Sequence, residues 1–459
     1  MKKTAFALAV ASAAFVHPVH ASEAELKAMI LQLQQKLEAQ AAQLQTQAAE
    51  IKDLRTQTQT LVGQQAKTAN AMAAVASPAP TTPSPSNSTA VTTTPPPVAT
   101  ASDTSFGGYG EIAYNHYTKD SSRSQADLKR FVILFGHRFT DQLSFNSEVE
   151  WEHAVTSAND QGESEIEQAY LNYQFNSAVN LKAGLFLMPF GLLNQSHEPP
   201  AFYGVERNEV ETRIIPSTWR EGGLGLYGST DAGLKWDVGV TTGFDTAKLD
   251  DASSPLHASH QELQLAKAHD LAAYAAVNYQ GIPGWTVGGA VFSGNSMHAN
   301  ADFKTDNTKP NFAGISARVT LWDVHTRWQQ NGWDLSAVYA KGTIGDAGKI
   351  DTTVQAFNTA TGANRPYVPS AFYGWLVQGA YTVWEHGDMK LTPFVRYEKF
   401  NTQSKMPAGF LADAANADRV TTVGVSFNPH PQVVCKADYQ KFQDHPKNDR
   451  FNLGIGYMF

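Results

Sequence analysis

The amino-acid sequence predicts an all-β chain, a 16-stranded antiparallel transmembrane β-barrel, preceded by a short N-terminal coiled-coil helix and a Pro-rich linker. Three observations predict it. From Phe106 onward, apolar and polar residues alternate with a period of two in sixteen segments. The connections between these segments alternate between short and long. Only 17% of the 459 residues are charged, yet no apolar run after the N-terminus reaches the roughly 18–20 residues of a membrane helix.

Residues 1–21 are predicted to be a secretory signal peptide. Lys2 and Lys3 precede an apolar stretch at residues 5–16, and Ala21 provides the small residue before a cut at Ser22. The alternative is an N-terminal anchor helix, for which the apolar stretch is too short. No cysteine follows the cut, so a lipoprotein is not expected. The mature chain would therefore enter the periplasm or go beyond it.

Residues 22–62 are predicted to form a periplasmic coiled coil, because apolar residues repeat in heptads with alternating spacings of four and three. The seam runs from Leu26 to Leu61 and includes Gln40 and Gln47, polar seam residues that can define the register. An isolated amphipathic surface helix is the alternative. Residues 63–105 are rich in Ala, Thr, Ser and Pro and are predicted to be a semi-extended linker.

Residues 106–459 are predicted to be the barrel. Most segments are close to the roughly 9–11 residues that cross a bilayer as a tilted strand, and short turns alternating with long loops are typical of outer-membrane barrels. The predicted strands are 107–117, 126–139, 142–154, 164–175, 179–188, 222–229, 232–243, 269–280, 284–293, 313–326, 332–342, 371–384, 389–400, 418–427, 432–442 and 449–459.

The barrel is expected to be closed, because an open strand edge in lipid leaves backbone groups without partners. The last strand alternates apolar and small or polar residues and ends at Phe459, as the C-terminal strands of bacterial outer-membrane barrels do. An ordinary amphipathic strand that ends in Phe is the alternative. Successive residues of a strand point to opposite faces of the sheet. On this basis Val319, Val377 and Val395 are expected to face lipid, whereas Arg318 is expected to face the lumen.

The insertion at residues 189–221 is predicted to fold into the lumen. A sixteen-stranded barrel is too wide to be filled by its strand side chains, so it encloses water and something else must narrow it. This insertion is rich in charged and aromatic residues, which a solvated loop usually lacks. An outer loop or a latch between the subunits of a trimer is the alternative.

Several stretches resemble the bacterial porin superfamily that includes the phosphate-selective porins O and P. They are Tyr109-Gly110-Glu111, residues 145–153, Glu167-Gln168-Ala169-Tyr170, Met188-Pro189-Phe190-Gly191 and residues 197–207. The resemblance covers roughly residues 106–459. It implies trimers of sixteen-stranded channels whose constriction is made by inward loops.

The sequence departs from the phosphate-selective members in its charges, because acids accompany the basic residues at inward positions and no Lys-rich ring is present. We therefore do not expect phosphate specificity. Acids on the third strand and the insertion would oppose Arg and Lys across the lumen and create a transverse field. The alternative is that the acids are held in fixed Arg pairs. The candidate pore-lining residues are Glu148, Glu150, Glu152, Glu198, Glu206, Arg207, Arg213 and Arg220.

The expected function is passive diffusion of small hydrophilic solutes or ions across the outer membrane of a Gram-negative cell. Enzymatic activity is not expected, because the sequence has no Gly-x-Ser-x-Gly and no His-Glu-x-x-His motif. No catalytic residue, cofactor or metal is predicted. One cysteine, Cys435, excludes a disulfide framework, and a net charge of -8 argues against nucleic acid as a partner.

The expected partners are outer-membrane lipid and two further copies of the chain in a homotrimer. Peptidoglycan is a further candidate partner through residues 22–62. One alternative function is a structural protein that tethers the envelope through the coiled coil, and a less favoured one is a barrel hydrolase.

Overall fold

The computed structural model describes residues 103–459, and the predictions for residues 1–102 lie outside this part of the chain. It contains seventeen strand segments, of which Trp384–His386 continues β12 and pairs with the same neighbour, so the wall has sixteen strands. The strands are β1 (Thr104–Tyr117), β2 (Gln125–Arg138), β3 (Leu143–Glu152), β4 (Ser164–Gln174), β5 (Asn180–Leu187), β6 (Arg220–Ser229), β7 (Leu234–Thr241), β8 (Ala272–Ile282), β9 (Trp285–Asn295), β10 (Arg318–Gln330), β11 (Trp333–Ile344), β12 (Ala371–Tyr381 with Trp384–His386), β13 (Met389–Lys405), β14 (Ala417–His430), β15 (Val433–Phe442) and β16 (Arg450–Met458).

The sheet is antiparallel throughout and closes on itself. Each strand pairs with its neighbours in sequence, and β1 pairs with both β2 and β16. The seam between the first and last strands runs from Tyr109, opposite Met458, to Tyr117, opposite Arg450. Phe459 extends it, because its N–H donates to the Gly108 carbonyl at 2.8 Å and its carbonyl accepts from the Gly108 N–H at 3.0 Å. The prediction of a closed sixteen-stranded barrel is confirmed.

Period-two alternation places apolar side chains on the outer wall. Val377 and Val395 are about half exposed, as expected for positions that meet acyl chains. The parity predicted for β10 is wrong, however. Val319 is fully buried on the lumen side, whereas Arg318 is exposed and its guanidinium donates to Ser293 Oγ at 3.2 Å. The strand begins at residue 318 rather than 313, and its inner face is apolar because the long loops pack against it.

The long connections lie at one edge of the barrel and the short turns at the other. Side chains of the long loops pack with inward side chains of β5 and β8 to β15 in one buried apolar cluster, which contains no fully buried residue of β1 to β4. Two α-helices belong to these loops, α1 (Val210–Arg213) and α2 (Ala347–Thr361). Neither has the length and apolar run that a helix needs to cross a membrane. Single 3-10 turns lie at Ser121–Arg123, Pro199–Ala201, Thr246–Lys248, Asp302–Lys304, Ala414–Asn416 and Pro446–Asn448.

Candidate functional site

The connection between β5 and β6, residues 188–219, crosses the lumen, and we call it the constriction loop. Its Pro199–Ala201 turn lies against the inner wall at β16, where the absence of a side chain at Gly456 makes room. A Cβ at position 456 would be 2.2 Å from Pro199 Cβ. The Val205 N–H donates to the carboxylate of Asp438 on β15 at 2.6 Å. The loop therefore reaches the wall opposite its own strands.

Polar contacts hold the far end of the constriction loop. Glu206 is 2.5 Å from Lys129 of β2 and accepts a hydrogen bond from Asn115 of β1 at 2.9 Å. Burial alone would raise the pKa of Glu206, but its polar and charged neighbours outweigh burial and lower this pKa to about 2. The Glu209 N–H donates to Glu398 of β13 at 2.7 Å. The loop is thus bonded to three parts of the wall.

Apolar and polar contacts also order the near end of the loop. Trp219 is fully buried, and its ring centroid lies 4.8 Å from Phe190 and 5.0 Å from Phe292. Glu211 accepts hydrogen bonds from the backbone N–H groups of Leu192 and Leu193 at 2.5 and 2.9 Å. Burial raises the pKa of Glu211 in spite of these bonds. The aromatic residues that suggested an ordered loop are its buried anchors.

Carboxylates of β3 and β4 form a wall of negative charge beside the loop, which we call the acidic wall (Glu148, Glu150, Glu165 and Glu167). Glu148 accepts hydrogen bonds from Tyr109 Oη and Gln168 Nε2, both at 2.6 Å. Glu165 is 2.5 Å from Arg220. Glu150 and Glu167 are buried, and Oε1 of each has no hydrogen-bond partner among the described residues.

His197 connects the constriction loop to the acidic wall. Its Nδ1 lies 3.0 Å from the Asn194 carbonyl, and its Nε2 lies 3.7 Å from Glu148 and 3.5 Å from Glu167. Burial by itself would lower the pKa of His197, but the two carboxylates outweigh burial and raise it to about 9. The imidazole is therefore a cation at neutral pH.

Basic side chains lie on the other strands around the loop. Lys436 Nζ of β15 is 3.5 Å from the ring centroid of Phe202 and has no hydrogen-bond partner among the described residues. Arg396 of β13 is 3.1 Å from Glu398. Arg450 of β16 is 3.6 Å from Glu209 of the loop. Acids thus predominate on one side of the loop, and bases lie among paired acids on the other.

On the short-turn side of the loop the lumen widens into a cavity of about 710 Å³, which we call the vestibule. Polar and apolar residues near the short turns both line it, and Glu148, His197 and Glu198 border it next to the loop. A space of this size holds many water molecules.

The structure brings most of the predicted pore-lining residues together around the loop. Glu148 and Glu198 border the vestibule, Glu150 is buried, and Glu152 is partly exposed. The other four residues have polar or charged partners. Glu206 pairs with Lys129, and Arg207 donates to Ser217 and Thr218. Arg213 pairs with Glu209, and Arg220 pairs with Glu165 and Glu262. A pore-lining role for these residues stays a prediction.

Sequence reasoning missed Glu165, Glu167 and Tyr109 as candidate site residues. The alternation of Glu165 and Glu167 around the outward Ile166 was a signal for the first two. A β-bulge shifts the register between Glu148 and Val149, so that Glu167 and Gln168 both approach Glu148. Simple parity cannot predict two consecutive residues near the same inward neighbour.

A closed sixteen-stranded barrel with a loop folded into its lumen defines an outer-membrane porin, and the protein is a diffusion channel of that membrane. The family model described as phosphate-selective porin O and P matches residues 105–448. The chain belongs to this family. A protein of Aquifex aeolicus (strain VF5), named only as uncharacterized, is 34% identical over 361 residues, which are 77% of this chain and 80% of that protein.

Solved porin structures resemble the barrel at low sequence identity. OmpF of Salmonella typhi, solved in complex with daunomycin, has a TM-score of 0.51 and 14% identity, covering 78% of this chain and 97% of that one. The anion-selective porin from Comamonas acidovorans has a TM-score of 0.48 and 10% identity, covering 78% and 99%. The channel DcaP of Acinetobacter baumannii has a TM-score of 0.47 and 15% identity, covering 78% and 97%. At such identities the likeness to OmpF concerns the fold alone.

Proposed function

We propose that small hydrated ions and solutes diffuse between the acidic wall and the constriction loop, and that this passage favours cations. The observation that carries the proposal is the state of the acids on β3. Among the ion pairs of residues 103–459, none joins Glu148, Glu150 or Glu152 to an arginine or lysine. Among these residues, Glu150 and Glu152 therefore have no basic partner within 4.0 Å, whereas Glu148 has the His197 imidazole at 3.7 Å and Glu111 has Arg130 at 2.8 Å.

The charge of a single carboxylate is enough to affect the passage of an ion. A unit charge about 7 Å from a permeating ion in water contributes about 0.6 kcal/mol, or roughly a threefold change in local ion concentration. Salt of 0.1 M, with a Debye length of about 10 Å, reduces this effect by roughly half. Passage along an acidic wall also makes phosphate a poor solute, so we propose general rather than phosphate-specific permeation.

Neutralising the β3 acids tests the proposal. The triple variant Glu148→Gln, Glu150→Gln and Glu152→Gln should shift the reversal potential of single channels in a KCl gradient toward anion preference. The shift should correspond to a threefold or larger change in the permeability ratio at low salt. An unchanged reversal potential would refute the assignment of these acids to the passage.

A matched control removes the same charge elsewhere. Asp141, Asp231 and Asp388 are exposed in short turns, and their triple change to Asn should leave the reversal potential nearly unaltered. If both triple variants shift it equally, net charge rather than the acidic wall sets the selectivity.

We further propose that the short turns face the periplasm, where the N-terminal segment also lies, and that the protein is a homotrimer. Short periplasmic turns and long outer loops are the rule in such barrels, and the heptads of residues 26–61 favour self-association. The mass of the detergent-solubilised full-length protein would show the number of chains, and a monomer or dimer would refute the trimer.

A further inference from the structure

The acidic wall contains more negative charge than its neighbours balance. Of its four carboxylates, Glu165 has Arg220 at 2.5 Å and Glu167 has the His197 imidazole at 3.5 Å. Arg220 is also shared with Glu262, at 3.2 Å. Among the described residues, Arg220 is the only arginine or lysine within 4.0 Å of these four carboxylates, so a deficit of positive charge remains.

The buried oxygens of Glu150 and Glu167 show where the deficit lies. One oxygen of each carboxyl group lies within 4.8 Å of the other group, and Oε1 of each is buried without a hydrogen-bond donor among the described residues. Glu167 is fully buried and Glu150 is 2% exposed. A buried carboxylate oxygen without a donor is costly, and two this close together need a positive charge between them.

The third side of this space is formed by Glu165. One oxygen from each of Glu150, Glu165 and Glu167 can be chosen so that all three lie within 4.8 Å of one another. Two oxygens on opposite sides of a Ca²⁺ ion are about 4.8 Å apart, since each bond is about 2.4 Å. The Glu165 side chain is 25% exposed, so an ion can reach the site from the solvent.

We propose that Glu150, Glu165 and Glu167 bind one divalent cation of the hard, oxygen-preferring class, to which Ca²⁺ and Mn²⁺ belong. The ion supplies the positive charge that the acidic wall lacks. His197 acts next to the site as a positioning residue, because it holds Glu167 from the side of the constriction loop. Metal binding would thereby couple the wall to the loop.

Manganese binding to the full-length protein in detergent micelles tests the proposal without measuring conductance, so its failure is distinguishable from failure of the channel function. Titration with Mn²⁺, followed by the loss of the free-ion signal in electron paramagnetic resonance, should show one site per chain at micromolar or tighter affinity. Ca²⁺ should compete for it. Glu150→Gln and Glu167→Gln should each weaken binding at least tenfold.

Two further variants keep the test decisive. Glu385→Gln, at an exposed residue in a distant hairpin, should bind Mn²⁺ as the unaltered protein does. If the buried variants do not fold, Glu165→Gln at the partly exposed position should still show the tenfold loss.

A shared proton is the competing source of positive charge. The proposal is overturned if Mn²⁺ shows no saturable binding, or if Glu150→Gln and Glu165→Gln bind as tightly as the unaltered protein. It is also overturned if the infrared band of a protonated carboxylic acid persists in excess Mn²⁺ and disappears in Glu150→Gln.

Discussion

Replacing Trp219 by alanine should release the near end of the constriction loop without unfolding the barrel. The indole is fully buried, its centroid lies 5.0 Å from that of Phe244, and its Nε1 donates to Glu221 at 3.1 Å. Truncating a buried Trp costs about 3–5 kcal/mol, and Glu221 loses a donor as well. The wall keeps its strand pairing, so the loss should appear as local opening of the loop.

Hydrogen exchange measures this opening. Since each 1.4 kcal/mol is a factor of ten, a loss of about 3 kcal/mol should raise the open population by about 100-fold or more. The Leu192 and Leu193 amides, which are bonded to Glu211, should exchange faster by that factor, and amides of β11 should not. Trp384→Ala, at an exposed outer position, is the matched control. Loop exchange within threefold of the unaltered protein would refute the idea that Trp219 anchors the loop.

Three further predictions concern residues that contact or belong to the long loops. Gly456→Leu should displace the Pro199 turn, because a Cβ there lies 2.2 Å from Pro199, and should alter single-channel conductance while far-UV circular dichroism is unchanged. Burial lowers the pKa of His260 from 6.5 to about 4. About 3 kcal/mol of stability, present above pH 6.5, should therefore be lost as the pH falls toward 4. Limited proteolysis of residues 242–271 should accelerate in acid in the unaltered protein but not in His260→Gln. Burial raises the pKa of Asp351 from 3.8 to about 7, so stability should be lost as the pH rises from about 4 to 7. Asp351→Asn keeps an amide oxygen that can accept from the Val368 N–H, and it should raise the melting temperature at pH 8 but not at pH 4.

The barrel could be predicted from sequence because its pattern is local. Each strand faces lipid on one side, which imposes period two, and each return is a turn or a loop. The same reasoning failed at Val319, which is fully buried on the lumen side. Inward-facing strand residues are polar only where water lines the wall. The sequence of a strand does not show whether a distant loop packs against its inner face.

The site was predictable in part for a related reason. The third-strand acids and the inward loop were found because alternation and composition reveal them. The partners of the acids were not, because Tyr109, Glu167 and His197 come from β1, β4 and the loop and meet only in the folded protein. Their contact also depends on a bulge in the β3–β4 ladder, for which the sequence carries no simple signal.

The distribution of apolar contacts supports the proposal that the acidic wall and the constriction loop favour cations. The constriction loop packs its apolar residues, such as Ile214 and Trp219, into a cluster whose wall contributions come from β5 and β8 to β15. This apolar cluster is unsuited to hydrated solutes. The loop side chains that meet β1 and β2 include the polar or charged His197 and Glu206. Because apolar packing holds the loop against one half of the wall, the hydrated passage that we propose would lie along the other half, where a few acids can affect which ions enter.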